Sequence, residues 1–152
     1  EFSTGNAVFA GLSVSEGRLV VGSRDSSLYI LDALTGTLHR RISIGDKIMS
    51  TPAVSNNTVF VPSLNGSLSA FSISDGSMKW KFQSKSGINT TPIIASNAVF
   101  ITSLDKHLYA LSLSDGMVLW KHDFDSRIKT TPLVWKNSVI VAAEDKNIYC
   151  FR

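Results

Sequence analysis

One motif recurs along this 152-residue chain at a fixed spacing of 40 residues. Thr-Pro pairs begin at Thr51, Thr91 and Thr131, each 40 residues after the last, and further columns keep the same spacing: Gly36, Gly76 and Gly116; Asp25, Asn65, Asp105 and Asp145; Leu28, Leu68, Leu108 and Ile148. Chance does not produce several columns at one period, so the chain is a repeat protein. We place the repeats at approximately 8–47, 48–87, 88–127 and 128–152, the last incomplete, within a single segment covering 1–152.

Each repeat has the pattern of four short strands. In the second repeat we predict strands over Ser50–Val54, Thr58–Val61, Ser67–Ile73 and Met78–Phe82. Residues that accept a positive φ or bond to their own backbone separate them, namely Asn56-Asn57, Asn65-Gly66 and Asp75-Gly76. β-branched runs and frequent turns exclude a helical repeat of this period.

The third strand of each repeat is apolar on both of its alternating faces. In the third repeat, Leu108 and Ala110 point one way while Tyr109 and Leu111 point the other. A sheet with one wet face would alternate apolar and polar residues, so both faces are covered here. Small sheets stacked face to face around an axis satisfy this demand. The sequence therefore predicts an all-β protein, a β-propeller of about four four-stranded blades.

The kind of propeller follows from two long matching segments, Ala70–Trp80 and Ala110–Trp120. They resemble the PQQ-like (quinoprotein-type) repeat, in which an alanine is followed by an aspartate two residues on, then Thr-Gly, then a tryptophan four residues after the glycine. Arg40 stands at the tryptophan position of the first repeat, and Ser72 and Ser112 stand at the aspartate position. Because the resemblance implies that these positions join neighbouring blades, we expect imperfect docking there.

The resemblance also implies a ring of seven or eight blades, of which this chain supplies about half. Glu1 and Phe2 align with Lys81 and Phe82 of an outer strand, although the tryptophan of that strand has no counterpart. Two arrangements follow. Either the chain is part of a larger protein, or two copies pair as a homodimer and close an eight-bladed ring.

An enzymatic role would, by the resemblance, require a quinone, a calcium ion, a catalytic aspartate and a tryptophan floor. Trp80 and Trp120 occupy the docking position instead, and the single cysteine, Cys150, cannot form the adjacent pair that many such enzymes use. His39, His107 and His122 lack metal-ligand spacing, with His107 expected in a turn. We expect no enzyme, no cofactor and no metal site, and we interpret Asp123 and Asp125 as a solvated pair. Cys150 is expected to be a small buried residue between blades.

Charge adds little to this interpretation. The chain has 15 Lys and Arg against 12 Asp and Glu, and the resulting net charge of +3 is modest for a nucleic-acid-binding protein. The basic residues of the outermost strands have the ordinary role of protecting sheet edges, and they are Arg40, Arg41, Lys79, Lys81 and Lys121. We therefore expect no nucleic-acid partner. No apolar run approaches the roughly 18 residues of a membrane span.

Variable residues on one face of the ring are the remaining candidates for function. Turns between the second and third strands, and loops between blades, emerge on the same face because the strands alternate in direction. The binding-face candidates are Arg24, Asp25, Lys47, Asn65, Lys85, Lys106, His107, Arg127, Asp145 and Lys146. We predict a non-enzymatic scaffold that binds a protein or peptide there. The resemblance favours a periplasmic or other extracytoplasmic location.

Two alternatives from other classes stay open at this point. The chain could be the cofactor-supporting part of a quinoprotein dehydrogenase, or a regulatory propeller attached to a larger enzyme. The first predicts stabilisation by added quinone with calcium, and the second would be visible only in flanking sequence.

Overall fold

The computed structural model describes residues 1–152 as fifteen strands arranged in four antiparallel sheets, here called blades 1 to 4. Blade 1 contains β1 (Leu12–Ser15), β2 (Arg18–Gly22), β3 (Ser27–Asp32) and β4 (Leu38–Ser43). Blade 2 contains β5 (Ala53–Ser55), β6 (Thr58–Pro62), β7 (Ser67–Ser72) and β8 (Met78–Gln83). The predicted all-β propeller architecture is thereby confirmed.

Blades 3 and 4 follow the same order. Blade 3 contains β9 (Ile93–Ala95), β10 (Ala98–Thr102), β11 (His107–Ser112) and β12 (Val118–Asp123). Blade 4 contains β13 (Leu133–Trp135), β14 (Ser138–Ala142) and β15 (Ile148–Phe151), so it has three strands while the others have four. No helix in the structure is long and apolar enough to cross a membrane.

The first strand of blade 2 is shorter than predicted. It begins at Ala53 rather than Ser50, since Pro52 has no N–H to donate to a ladder. The Pro52 carbonyl instead accepts a 2.5 Å hydrogen bond from the Ser13 hydroxyl of blade 1. The predicted hairpin turn is present, because Asn56 and Asn57 both have positive φ, at 45° and 55°. This pair of conformations suits the right-handed twist of the strands on either side.

The core is divided into layers between consecutive blades. We call the side of a blade that packs on the next blade its forward face, and the opposite side its rear face. Between blades 1 and 2, the forward residues Val20, Leu28 and Ile30 pack on the rear residues Val59 and Phe71. The same columns form the layer between blades 2 and 3, and again the layer between blades 3 and 4. Stacking in one direction therefore buries both faces of each interior blade.

The tryptophan position joins the outer parts of neighbouring blades. Trp80 is buried, and its Nε1 donates a 3.0 Å hydrogen bond to the Leu113 carbonyl of the next blade. Arg40 occupies the same place in blade 1, where its side chain covers Gly76 and its Nη2 donates to the Ser74 carbonyl at 3.3 Å. The Arg40 Nε is buried without a partner. The arginine thus keeps the contact between blades and leaves one polar atom unsatisfied.

Two positions differ from what the sequence predicts. Cys150 is exposed rather than buried, because it lies on the forward face of blade 4 and no blade of this chain covers that face. His107 is the first residue of β11 rather than part of the preceding turn. Its backbone N–H donates to the Asp105 carboxylate at 3.2 Å, which ends the turn one residue earlier.

Candidate interaction rim

The two sets of loops on one face of the propeller are held together by one repeated backbone hydrogen bond. In each blade, an N–H of the turn between the second and third strands donates to a carbonyl of the loop that precedes the blade. The four bonds are Arg24 to Ala7 at 3.1 Å, Leu64 to Lys47 at 3.2 Å, Leu104 to Gly87 at 2.9 Å and Glu144 to Arg127 at 3.0 Å. We call these turns and loops, residues 5–7, 24–26, 45–47, 64–66, 85–87, 104–107, 125–127 and 144–146, the rim.

Three of the rim aspartates, one in each of blades 1, 3 and 4, serve the frame of the fold. The Asp105 carboxylate accepts hydrogen bonds from the Tyr109 hydroxyl at 2.8 Å and from the Lys85 N–H at 3.0 Å. The Asp145 carboxylate likewise accepts from the Tyr149 hydroxyl at 2.5 Å. Asp25 accepts from the Tyr29 hydroxyl and from the Gly5 N–H. Each carboxylate therefore ties a turn to the third strand of its own blade.

These hydrogen bonds shift the pKa values of the groups involved. The Tyr149 hydroxyl bond holds the pKa of Asp145 below its usual value. Burial tends to raise the pKa of Asp25, but hydrogen bonds from Tyr29, Gly5 and Ser27 together outweigh it and lower the pKa. The pKa of Tyr109 is raised, first by burial and then by its hydrogen bond to Asp105. Donors within the protein therefore stabilise the ionised carboxylates of Asp25 and Asp145.

Blade 2 replaces the aspartate with Asn65. Its Oδ1 accepts from the Ser67 N–H at 3.0 Å and from the Ser63 hydroxyl at 2.9 Å, while the residue as a whole is exposed. The amide keeps the geometry of the turn without a charge. One quarter of the rim is consequently less negative than the rest.

Five of the seven exposed charges of the rim are cationic, and the two anions are Asp125 and Glu144. Lys47, Lys85, Arg127 and Lys146 are exposed, and none of their side chains forms a hydrogen bond or an ion pair within the chain. Lys106 is also exposed, and its Nζ donates to the Asp125 carbonyl at 2.8 Å. These residues project from a frame that backbone hydrogen bonds hold in place.

Arg24 and Phe9 form another part of this surface. Arg24 is one of the binding-face candidates from the sequence, whereas Phe9 is not. The Arg24 guanidinium lies 5.3 Å from the centre of the Phe9 ring, and that ring is 60% exposed. Phe9 lies two residues after the first loop of the rim and precedes β1. The 40-residue repeat could have identified it, because its column contains Met49, Asn89 and Lys129, so an aromatic residue is unusual there.

The histidines do not converge. The His107 ring stacks on Tyr109 at 5.3 Å, with its Nδ1 3.0 Å from the Asp105 carbonyl. His122 packs against Phe124 at 4.6 Å and Phe151 at 4.7 Å between blades 3 and 4. No group of three His, Cys, Asp or Glu side chains lies close enough to hold a metal ion.

The concave sites of the molecule lie on the face opposite the rim, between blades. The largest, of about 370 Å³, is lined by Phe100, Trp120, Val139 and Phe151, with Asn137 and Arg152 at its border. Trp120 is 37% exposed there, although the equivalent Trp80 is only 7% exposed. No carboxylate lines this site beside Trp120, and Trp80 is buried between blades. The residues present therefore do not fit a site for a quinone and its calcium ion.

Comparison with known proteins identifies relatives of this architecture. A family model described as outer membrane protein assembly factor BamB matches residues 2–98 and 83–151. The crystal structure of BamB from Moraxella catarrhalis is similar over 99% of this chain, with 21% identity and a TM-score of 0.89. This chain spans 48% of that BamB chain. No curated protein sequence matches.

Two computationally designed proteins are similar as well. Ika4 matches 98% of this chain and 92% of its own length, at 22% identity and a TM-score of 0.88. Ika8 matches 95% of this chain and 45% of its own length, at 22% identity and a TM-score of 0.85. At these identities the similarity concerns the fold.

Proposed function

The chain belongs to the PQQ-type repeat family described as outer membrane protein assembly factor BamB, and from that premise we propose that it is a non-enzymatic β-propeller scaffold whose rim binds a protein or peptide partner. On the rim the side chains differ between repeats while the backbone hydrogen bond stays the same. The family match and the BamB-like fold support a scaffold role. The chemistry of the rim indicates what kind of partner it would bind.

The repeated backbone hydrogen bond of the rim carries this proposal. Four equivalent bonds of 2.9 to 3.2 Å hold the loops in one arrangement in every blade. The donor residues nevertheless include a cation, an anion and two leucines, being Arg24, Glu144, Leu64 and Leu104. A rigid frame with variable exposed side chains is the usual basis of recognition by loops on a scaffold, because little entropy is lost on binding.

The charges of the rim favour a partner with acidic side chains and exposed carbonyl groups. Three of the five rim aspartates are engaged with tyrosine hydroxyls, and Asp46 and Asp125 are not. The cations Lys47, Lys85, Arg127 and Lys146 have no partner within the chain. A single exposed ion pair contributes only about 0 to 1 kcal/mol. Several together, with the Arg24–Phe9 pair beside them, would give a moderate affinity that weakens as salt is added.

Site-specific photocrosslinking in the source cells tests the proposal. A photoreactive residue is placed at Lys85 or Lys146 on the rim, and at Lys81 or Lys121 on the outer strands as controls that are also exposed. We expect a discrete protein adduct from the rim positions only. Equal adducts from both sets, or adducts from the outer strands alone, would contradict the proposal.

Charge reversal then measures the contribution of the rim to binding of the crosslinked partner. The double variant Lys85→Glu with Lys146→Glu should weaken binding at least about tenfold and reduce its salt dependence. The matched double variant Lys81→Glu with Lys121→Glu changes the net charge equally and should bind as the parent does. The non-enzymatic part is tested separately by thermal unfolding with a quinone and calcium, for which we expect no increase in Tm.

A further inference from the structure

A polar cleft of about 270 Å³ lies between blades 2 and 3, on the face opposite the rim. Both of these blades have all four strands. Blade 2 contributes the tip of the β5–β6 hairpin, the start of β6 and one residue of β8, whereas blade 3 contributes the tip of the β9–β10 hairpin and the turn after β11. Phe60 and Leu113 provide the apolar part of the lining, and the other lining residues are polar.

Lys79 is the only charged residue that lines this cleft. Its Nζ donates a 2.6 Å hydrogen bond to the Thr58 hydroxyl, which in turn donates to the Asn56 carbonyl at 3.3 Å. Lys79 takes part in no ion pair within the chain. The ammonium therefore has a neutral partner for one N–H, and its other N–H donors remain for a ligand.

The equivalent cleft between blades 1 and 2 satisfies its own polar groups. There the Asn57 Nδ2 donates to the Ser74 hydroxyl at 3.0 Å. The Arg18 guanidinium lines the same cleft and pairs with Asp32 at 3.3 Å. Glu16 adds a negative charge to the lining. This first cleft is therefore balanced in charge and has its hydrogen bonds made within the chain.

The cleft between blades 2 and 3 leaves the equivalent groups free. Asn97 and Ser114 stand 40 residues after the bonded pair of the first cleft, yet they are not bonded to each other. The Ser114 hydroxyl bonds to Ser112 at 2.9 Å instead. The exposed side chains at the two hairpin tips form no hydrogen bond within the chain, and they are those of Asn56, Ser96 and Asn97. One unbalanced cation thus lies among unused amide and hydroxyl groups.

We propose that this cleft binds a small carboxylate that carries several hydroxyl groups, such as a sugar acid. The Lys79 ammonium pairs with the carboxylate, because one ammonium balances one negative charge. The amide and hydroxyl side chains of the hairpin tips both donate to and accept from the hydroxyl groups of the ligand. The cleft is smaller than the roughly 300 to 1,000 Å³ of a drug-sized site, so the ligand is small.

A phosphate group fits this cleft less well. Phosphate is usually held by arginine side chains or by several converging backbone N–H groups, which share its larger charge. The cleft has a single cation, and no arginine lines it. The chemistry of the lining therefore favours a carboxylate.

Amide chemical shifts of isotopically labelled protein test the site. The probes are D-gluconate, D-sorbitol and inorganic phosphate, each added at constant ionic strength. Gluconate is a hydroxylated carboxylate, and sorbitol has the same carbon skeleton without the carboxylate. Gluconate should shift the N–H signals of Asn56, Ser96 and Asn97 along saturable curves. Sorbitol should bind at least about tenfold more weakly, because it offers the ammonium no charge, and phosphate should also bind more weakly than gluconate.

Two variants measure the contribution of the cation. Lys79→Gln removes the charge but keeps a polar side chain, and it should weaken gluconate binding at least about tenfold. Lys81→Gln is the matched control, because Lys81 is an exposed lysine of the same strand that does not line the cleft. It should bind gluconate as wild type does. Unchanged amide signals in blades 1 and 4 would show that both variants keep the fold.

Several results would overturn the proposal. They are shifts that do not saturate with gluconate, equal affinities for gluconate and sorbitol, or equal losses in Lys79→Gln and Lys81→Gln. Tighter binding of phosphate than of gluconate would overturn it as well, since the ligand class would then be wrong. Binding at the rim is a separate measurement on the opposite face, so these results leave it unaffected.

Discussion

The ring of Trp80 lies directly on Gly116, so close that a Cβ on this glycine would stand 2.5 Å from the Trp80 Cε3 atom. The glycine has a φ of +73°, in the left-handed region that side chains disfavour. The docking of blade 2 on blade 3 thus depends on glycine at position 116. Any other residue would bring a side chain into contact with Trp80 and would be strained at this φ.

Gly116→Ala should consequently destabilise the protein by about 2 to 5 kcal/mol, combining left-handed strain with the displacement of Trp80. Gly36→Ala is the matched control, because Gly36 has a φ of +69° and nothing within 4 Å of its would-be Cβ. It should cost only about 1 to 2 kcal/mol. Urea unfolding followed by circular dichroism distinguishes them, and equal losses would show that the Trp80 contact contributes nothing.

Trp80→Ala should cost about 3 to 5 kcal/mol, since it removes a buried ring and its hydrogen bond to Leu113. Trp80→Phe keeps most of the packing and should recover more than half of that loss. Trp120→Ala serves as the comparison, because Trp120 is 37% exposed and should cost less than half as much as Trp80→Ala. Denaturant midpoints at constant m-value give these differences, and a Trp120 loss as large as that of Trp80 would contradict this account of docking.

Arg40→Trp should stabilise the protein by about 0.5 to 2 kcal/mol, which is the usual range for restoring a repeat consensus. The substitution removes the buried Nε that has no partner and places an indole over Gly76, as in the next blade. Arg40→Ala should instead destabilise, because it loses the covering of Gly76 and the bond to Ser74. Thermal unfolding of both variants beside the parent measures the two signs, and a loss in Arg40→Trp would refute the equivalence of the two positions.

Acid should weaken the fold through the aspartates of the turns between the third and fourth strands. Hydrogen bonds from the Ser77 N–H and hydroxyl, and from Ser72, lower the pKa of Asp75 to about 2. A carboxyl whose pKa is depressed in the folded state contributes stability above its unfolded pKa, near 4, and loses it as the pH falls toward 2. The free energy of unfolding should decrease over that window.

Asp75→Asn tests this pH dependence. The variant should be less stable than wild type at pH 7, and the difference should narrow as the pH falls from about 4 toward 2, because Asp75 of the wild type then becomes protonated and loses its advantage. Urea unfolding at a series of pH values, with carboxyl chemical shifts for the Asp75 titration, provides the measurement. A difference that stays constant from pH 7 to pH 2 would contradict it.

Much of the architecture could be predicted from the repeat alone. The 40-residue columns predicted the blades, and the apolar third strand predicted that both faces of a blade are covered. Asn56-Asn57 predicted a hairpin turn with two positive φ values, as observed. The strand at Ser50–Val54 was predicted too long, because the missing N–H of Pro52 outweighs the tendency of its neighbours to extend.

The rim was predicted only in outline. Sequence reasoning placed Asp25 and Asp145 among the residues available to a partner, whereas their carboxylates are engaged with tyrosines four residues later. An aspartate followed by a tyrosine at that spacing in the first, third and fourth repeats was a signal that could have revealed this pairing. Whether the candidate residues bind a partner remains a prediction for the crosslinking experiment.

The sequence by itself determined the repeat, the strands and which columns are apolar, because alternation along a strand and the chemistry of a turn are local properties. Only the tertiary structure decided which apolar residues are buried. Cys150 and Ala110 share a column, yet Ala110 is buried by blade 4 and Cys150 is exposed. Burial depends on whether another blade lies against that face, and that is a property of the stack rather than of any one repeat.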